Sequence, residues 1–419
     1  MISLKRFHNY NTYLKSIDQP IAFILGKYIT SGLGISRYLG RLKIPVVWLD
    51  SNPKQIGFLS KYCTGIVSPP PENNEEYIGF LINLGKILSQ KGVLLPIGDT
   101  EIYATLKYKQ KLKKYYHFSM PDLEITNKLL DKSILYRILD KLKIAHPKTY
   151  FPQNLTDVKK LSNNILYPCF IKPSYSSYFV IDFKTKLFNV ESSDQLINLY
   201  NKTLIKNYNV LIQEIIPGEA NCMYGLNAYY DKDCSPNGVF MYRRIREWPF
   251  NTGCGCLIES VEVPELEGII NPLIKHIKFH GIIDAEFKKD PRDKKFKLIE
   301  INPRSWEQNS LPSRCGINLP YIAYMQAIGK EVDKVICKQK QMKWLFIFDD
   351  ILSTLTSMKK NELTFQEWIH SFKGKIEYAI FAKDDPNPFF ALFFKSISFS
   401  TFSALQRIVW PVDSKKNNN

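Results

Sequence analysis

The chain has 419 residues, 45% of them hydrophobic and 13% aromatic, and 57 Lys and Arg against 40 Asp and Glu leave a net charge of +17. That length exceeds one small core and implies two or three domains, and the apolar content excludes an intrinsically disordered chain. The positive balance favours acidic partners (nucleotides, polyanions, nucleic acid or an anionic membrane surface) without choosing among them. The eight cysteines include no CxxC pair, and Cys254-Gly-Cys256 matches no common zinc pattern, so reduced structural thiols in a cytoplasmic protein are expected.

The N-terminus runs from Met1 into polar residues and lacks the apolar core of a signal peptide. Ile21 to Leu25 reads as a buried parallel strand, Thr30 to Gly34 as a glycine-containing turn, and the following residues to about Lys43 as a helix. Pro45 to Leu49 is a second strand closed by Asp50, and Val93 to Ile97 a later one closed by Gly98-Asp99. Strand, helix and strand at this spacing predict a doubly wound parallel sheet over residues 1–118. Neither a GxGxxG nor a GxxxxGK[ST] stretch is present. Ligands of such sheets sit at strand C-termini, which singles out Gly32, Asp99 and Glu101 for substrate contact. Ser68 to Pro71 is a local loop.

From Ile125 the pattern is helical to Leu142, and His146-Pro147 stops it. Strand-like stretches around Cys169–Ile171, Phe188–Val190 and Val210–Gln213 predict a small α+β unit ending near Gly218. In the next segment, Gly281 to Asp290 and Leu298 to Arg304 are two apolar stretches, one carrying Glu286, the other Glu300 and Asn302 on one face because side chains two apart on a strand point the same way. Two carboxylates and an amide oxygen form a hard-oxygen set suited to Mg²⁺. Arg304 follows at once, a fork for a carboxylate or phosphate. His276 and His280 lie four apart but lack a third metal ligand nearby, so a surface helix is expected there. Residues 331–419 carry no readable chemistry. No 18-residue stretch is free of charge and strongly apolar, and Phe389 to Trp410 carries Lys395 and Arg407. Its loose apolar face (Phe390, Phe394, Ile397, Leu405 and Ile408) is expected to pack on the body of the protein rather than lie on a membrane. The tail from Lys415 is expected to fray.

Five of these segments, spread over roughly residues 20–330, resemble the ATP-grasp superfamily. They are Asp131-Lys132 with Pro147-Lys-Thr149, Tyr167 to Pro173 around Lys172, Leu211 to Gly218, Met241 to Pro249, and the two acidic strands. Within the superfamily the chain is similar to short carboxylate–amine ligases related to D-aspartate ligase and to the carbamoyl-phosphate synthase large-chain type. The resemblance implies an α/β plus α+β architecture. A doubly wound pre-ATP-grasp domain (1–118) precedes a two-subdomain ATP-grasp fold (119–330, with a small subdomain near 150–218 and a large one near 219–330) and a C-terminal segment (331–419).

The resemblance also implies roles. Lys132 and Lys172 reach nucleotide phosphates. Gln213, Glu214, Ile215 and Ile216 form the hinge that reads adenine, and Glu219 stands one residue before the usual position of the ribose binder. Arg243 faces the γ-phosphate. Glu286, Glu300 and Asn302 hold Mg²⁺, with Mn²⁺ as a substitute, and Arg304 stabilises an acyl-phosphate. Where relatives carry a glycine-rich phosphate lid, Ser174 to Tyr178 contains no glycine. The implied activity is ATP-dependent joining of a small-molecule carboxylate to an amine, with ADP and phosphate released. The alternatives are an ATP-grasp phosphotransferase and a non-catalytic nucleotide-binding or scaffold protein at an anionic membrane surface. The lysines show no compact basic-aromatic motif, so no nucleic-acid partner is expected.

Overall fold

The computed structural model describes residues 5–250, 253–335 and 341–399, with the side chains of 5–9, 176–178, 181 and 397–399 left aside. Five strands form a parallel sheet: β1 (Ala22–Leu25), β2 (Val46–Asp50), β3 (Thr64–Val67), β4 (Gly92–Pro96) and β5 (Tyr116–Phe118), in the order β3-β2-β1-β4-β5. β1, β2 and β4 are buried along their whole length, as their unbroken apolar runs require. The strand order reverses between β1 and β4, and the C-terminal ends of that pair form the crevice where sheets of this topology bind ligands.

One expectation fails in this sheet. Thr30 to Gly34 is not a turn but the first turns of the helix Ile29–Arg41. Its glycines serve close packing: a Cβ on Gly32 would stand 2.1 Å from the Trp48 ring, and one on Gly34 would stand 1.8 Å from Asn309 Oδ1. Gly32 is therefore a packing residue, not a substrate contact.

The next unit is a four-stranded antiparallel sheet of β6 (Thr149–Tyr150), β7 (Cys169–Pro173), β8 (Phe188–Val190) and β9 (Val210–Glu214), ordered β6-β9-β7-β8. Its core joins Val158 and Leu196, from the helices Leu155–Ser162 and Ser193–Ile205, to Ile171 and Ile212 of the sheet. After β7 the glycine-free segment, in place of the relatives' glycine-rich lid, forms a helix, Ser176–Phe183. No glycine or proline interrupts it, and Phe179 and Phe183 anchor it against Phe188 and Tyr208.

The third sheet has seven strands: β10 (Met223–Tyr230), β11 (Pro236–Trp248), β12 (Cys254–Ser260), β13 (Gly281–Lys289), β14 (Phe296–Asn302), β15 (Met342–Leu345) and β16 (Lys375–Tyr378). Their order is β14-β13-β10-β11-β12-β15-β16. The helices Lys132–Leu142 and Glu265–Ile277 cover one face, burying Leu135, Leu139, Ile270 and Ile274 against Ala285, Phe287 and Leu298. His276 lies in the last turn of the second helix and His280 beyond its end, so the two do not share a helical face.

The described residues 342–378 are tied into this sheet rather than standing apart, since β15 pairs with β12 and β16 with β15. Buried Arg37 donates to Asp385 at 2.9 Å, and Asp385 also accepts from Ser60 Oγ at 2.7 Å. One apolar core runs from Ile24 and Trp48 through Phe240 to Trp344 and Ile380. The expected apolar positions Ile397, Leu405 and Ile408 and the Lys415 tail lie outside the described side chains.

Candidate active site

The register of β13 and β14 sets Glu286 opposite Glu300 and Asp284 opposite Asn302. Directly paired residues of an antiparallel ladder share a face, so all four side chains project together. The face continues across β10 and β11, where Glu286 is opposite Gly225, Gly225 opposite Tyr242, and Asp284 opposite Asn227.

Cations meet this acidic face. Lys132, at the start of its helix, reaches Glu300 at 2.7 Å. Lys172 of β7 donates to the buried Gln213 side chain at 2.8 Å. Burial, reinforced by neighbouring Lys132, lowers the Lys172 ammonium to about 8 despite the pull of Glu300. For Glu300, burial works against the charge, but Lys132, Lys172 and Arg304 outweigh it and hold the carboxyl at about 2.

Behind them Asp284 is buried and accepts from Asn227 at 2.8 Å and from Asn302 at 3.1 Å. Burial, reinforced by Glu286, raises its pKa. Asp284 and Asn227 escaped the sequence reading; the alternation that put Glu286 on the site face also put Asp284 there, two residues away.

Arg243 does not reach this face. It pairs in register with Tyr224 and Glu259, and its guanidinium donates to Glu259 at 2.9 Å on the opposite side of the sheet. Arg244 is the arginine on the acidic face: buried, it bridges Glu286 at 2.8 Å and Glu247 at 2.9 Å. The period of two along β11 decides between these neighbours. A register shift after Arg244 then turns Arg246 to Asp350, 2.7 Å away, so Arg246 anchors the helix Ile347–Lys359 rather than a substrate.

Arg304 leaves the end of β14 and crosses to the crevice of the parallel sheet. There its Nε donates to Asp99 at 2.6 Å, its Nη2 donates to Asn302 at 3.3 Å, and it lies 5.7 Å from the Tyr28 ring. Asp99 opens the helix Asp99–Lys107, and Tyr28 precedes Ile29–Arg41. Two helix N-termini thus point at the crevice and favour an anion there. Glu101 is turned inward and buried, and burial raises it to about 7.

At the far end, Gln213 Nε2 donates to Thr149 at 2.9 Å, and Glu214 accepts from the Lys148 amide at 2.8 Å and pairs with Arg292 at 3.1 Å. Ile215 is half-buried and Ile216 buried, while Glu219 is exposed at the start of a short helical turn. Buried Asp290 gathers Arg292 and Lys297, each at 2.6 Å, so this end carries a charged network that no motif announced. Among the lid residues, the side chains of Ser176, Ser177 and Tyr178 lie outside those described. Lys186, just beyond the lid helix, was also missed. Burial opposes its charge, but Cys254, Glu300 and Tyr28 outweigh that and hold the ammonium above the usual lysine range.

Among the described residues no group of three or more His, Cys, Asp or Glu side chains is suited to a metal. The predicted set has two carboxylates and an amide. Its donors are hard oxygens on adjacent, register-paired strands, and Arg244 and Lys132 balance the charge here. That donor chemistry fits a Mg²⁺ ion sharing its shell with water and phosphate oxygens.

No family model matches the chain. It is 26% identical to D-aspartate ligase of Enterococcus faecium (strain Aus0004) over 62% of this chain and 65% of that one. It is 24% identical to the carbamoyl phosphate synthase large chain of Thermoanaerobacter sp. (strain X514) over 61% of this chain and 23% of that one. The chain therefore spans just under two thirds of the first relative and about a quarter of the second. A biotin carboxylase structure from Campylobacter jejuni, in complex with an ATP analogue, superposes with a TM-score of 0.60 at 16% identity, covering 76% of this chain and 73% of that one. The chain has the ATP-grasp fold, with a parallel-sheet domain ahead of it.

Proposed function

We propose that the protein is an ADP-forming ligase that activates a carboxylate with ATP and joins it to an amine. The observation that carries this reading is the convergence at one face of Glu286 and Glu300 in register, Lys132 on Glu300, and Arg304 bridging from that face to the Asp99 crevice. The name of the D-aspartate ligase relative supports the same reaction class.

Glu286, Glu300 and Asn302 would hold Mg²⁺, which when bound offsets phosphate charge. Lys132 and Lys172 would neutralise the polyphosphate, with Gln213 fixing the Lys172 ammonium. The segment Gln213 to Ile216 would receive adenine, and Glu219, exposed, would turn toward ribose. Arg304 and the two helix N-termini orient the substrate carboxylate in the crevice. A carboxylate oxygen attacks the γ-phosphorus, the bond to the β-phosphate oxygen breaks, and ADP leaves. The amine then attacks the acyl carbon, the phosphate departs with the C–O bonding pair, and the amine proton passes to solvent. No protein nucleophile is required, because phosphate is the activating group. The four-stranded unit, closing over the nucleotide, would exclude water that otherwise hydrolyses the acyl-phosphate.

The roles proposed for the site residues include one revision. Arg244, rather than Arg243, faces the transferring phosphate. A screen of paired carboxylates and amino compounds for ADP release, with mass spectrometry of the product, tests the reading. Glu300→Gln should abolish ADP formation in a folded protein; a fully active variant would overturn the mechanism. A stable phosphorylated product formed without any amine would instead indicate a phosphotransferase.

A further inference from the structure

The helix Ile347–Lys359 is turned inside out. Its buried stripe is polar (Asp350, Ser353, Thr354 and Ser357, at helical spacing), while Ile351, Leu352 and Leu355 face outward. A helix facing only water places its apolar stripe inward. Here Asp350 is held by Arg246 and Trp368, but the inward hydroxyls of Ser353 and Thr354 have no hydrogen-bond partner, so the inversion is only partly offset by its polar interior.

The inversion does not stand alone. Phe348 touches Phe389 at 6.3 Å between ring centroids, joining this helix to Asn387–Phe399. That second helix turns Phe389 and Leu392 toward the core and exposes Phe390, Phe393 and Phe394, with Phe394 65% exposed. On the other flank Trp368 donates to Asp350 at 2.9 Å, which brings up the short helix Phe365–Ser371 with Phe365 and Ile369 exposed. Three neighbouring helices thus present outward leucine, isoleucine and phenylalanine side chains, a concentration that isolated surface hydrophobes do not produce.

The charge around this surface is positive. Lys359, Lys373, Lys383 and Lys395 are exposed on these helices and the segments that join them. Of the nearby acids, Glu367 caps Thr364, Glu362 meets Lys360 at 4.0 Å and Asp384 pairs with Arg41 at 2.9 Å, while Asp349 is half-buried and burial, with Glu307, raises its pKa to about 6. A second copy of a chain carrying +17 is an unfavourable occupant, because like charges oppose close approach. An anionic lipid surface offers both an apolar interior for the aromatic side chains and headgroups for the lysines. No helix among the described residues is long and apolar enough to cross a membrane, so the contact is peripheral.

We propose that the outer face of Ile347–Lys359 and Asn387–Phe399 docks the protein on an anionic membrane surface. The face carries none of the residues proposed for the ligase reaction, so the two readings stand or fall separately. The test is co-sedimentation of the full-length protein with phosphatidylcholine vesicles and with vesicles that also contain phosphatidylglycerol. Binding is expected only to the second kind and should weaken as salt is raised. Leu355→Ser with Phe390→Ser and Phe394→Ser should reduce it at least about tenfold without lowering the melting temperature. Lys359→Glu with Lys395→Glu, which leaves every apolar contact in place, should also weaken it. Absence of vesicle binding, equal binding to neutral vesicles, undiminished binding by the triple variant, or a dimer that the triple variant dissociates would each overturn the proposal.

Discussion

Replacing Arg244 and Arg243 in turn by methionine separates two neighbours that the sequence alone does not distinguish. Arg244 is buried, and one guanidinium compensates both Glu286 and Glu247. Removing one partner of such a buried group leaves a carboxylate uncompensated and costs about 3–5 kcal/mol. At roughly 2 °C per kcal/mol for a unit of this size, Arg244→Met should melt about 6–10 °C below the wild type. Arg243 pairs with Glu259 on the other face, with its own side chain 42% exposed. A pair so open to water contributes on the order of 0–1 kcal/mol, a shift of about 2 °C at most. In a coupled assay of ADP release, Arg244→Met should lose about 100-fold or more, because it removes a preorganised cation beside the acidic face. Arg243→Met should stay within about threefold of wild type, as a surface pair that touches no reacting group. Arg244→Lys guards against a purely structural reading: it keeps the charge but not the fork across two carboxylates, and should recover more stability than turnover. Equal losses from Arg243→Met and Arg244→Met, or full turnover in Arg244→Met, would refute the assignment of faces.

Glu101 predicts a pH dependence. Its folded pKa of about 7 lies above the ordinary value of 4.5, so the stability it supports is complete below about 4.5 and is lost as pH rises through 7. Chemical denaturation of wild type and Glu101→Gln from pH 4.5 to 8 should show the variant gaining on the wild type by at most about 3 kcal/mol, and a pH-independent difference would contradict this. Gly32→Ala should destabilise by about 1–3 kcal/mol, since its Cβ would stand 2.1 Å from the Trp48 ring, a loss that thermal melts would detect. Asp385→Ala should cost about 3–5 kcal/mol by leaving buried Arg37 without its carboxylate, and limited proteolysis should then cut first in the C-terminal segment.

The metal-like face was the most legible part of the chain. Strand alternation puts Glu300 and Asn302 together without knowledge of any partner strand, and the unbroken apolar runs of β1, β2 and β4 declare a parallel sheet buried on both sides. The helical form of Ser176–Phe183 was not legible, because a serine-rich stretch carries no helical signal of its own and Phe179 and Phe183 gain burial only when the segment coils against Phe188 and Tyr208. The arginine of β11 was misassigned for a related reason. Arg243, Arg244 and Arg246 are equally cationic in sequence, and only the pairing with β10 and β12, with a register shift after Arg244, decides which one faces Glu286.

What the sequence determined by itself is what depends on neighbours a few residues away: strands such as β1, β2, β4, β13 and β14, the helical pattern from Ile125 to Leu142 (which the structure breaks at Asp131), and the side of each strand on which a carboxylate stands. The tertiary structure alone decided what depends on residues hundreds of positions apart. It brought Arg304 to Asp99 at 2.6 Å, closed Arg37 on Asp385 at 2.9 Å, and turned Ile351, Leu352 and Leu355 outward. A local pattern fixes a side chain's direction relative to its own backbone. Which surface lies in that direction is set by how sheets and helices pack, and no periodicity within one segment encodes it.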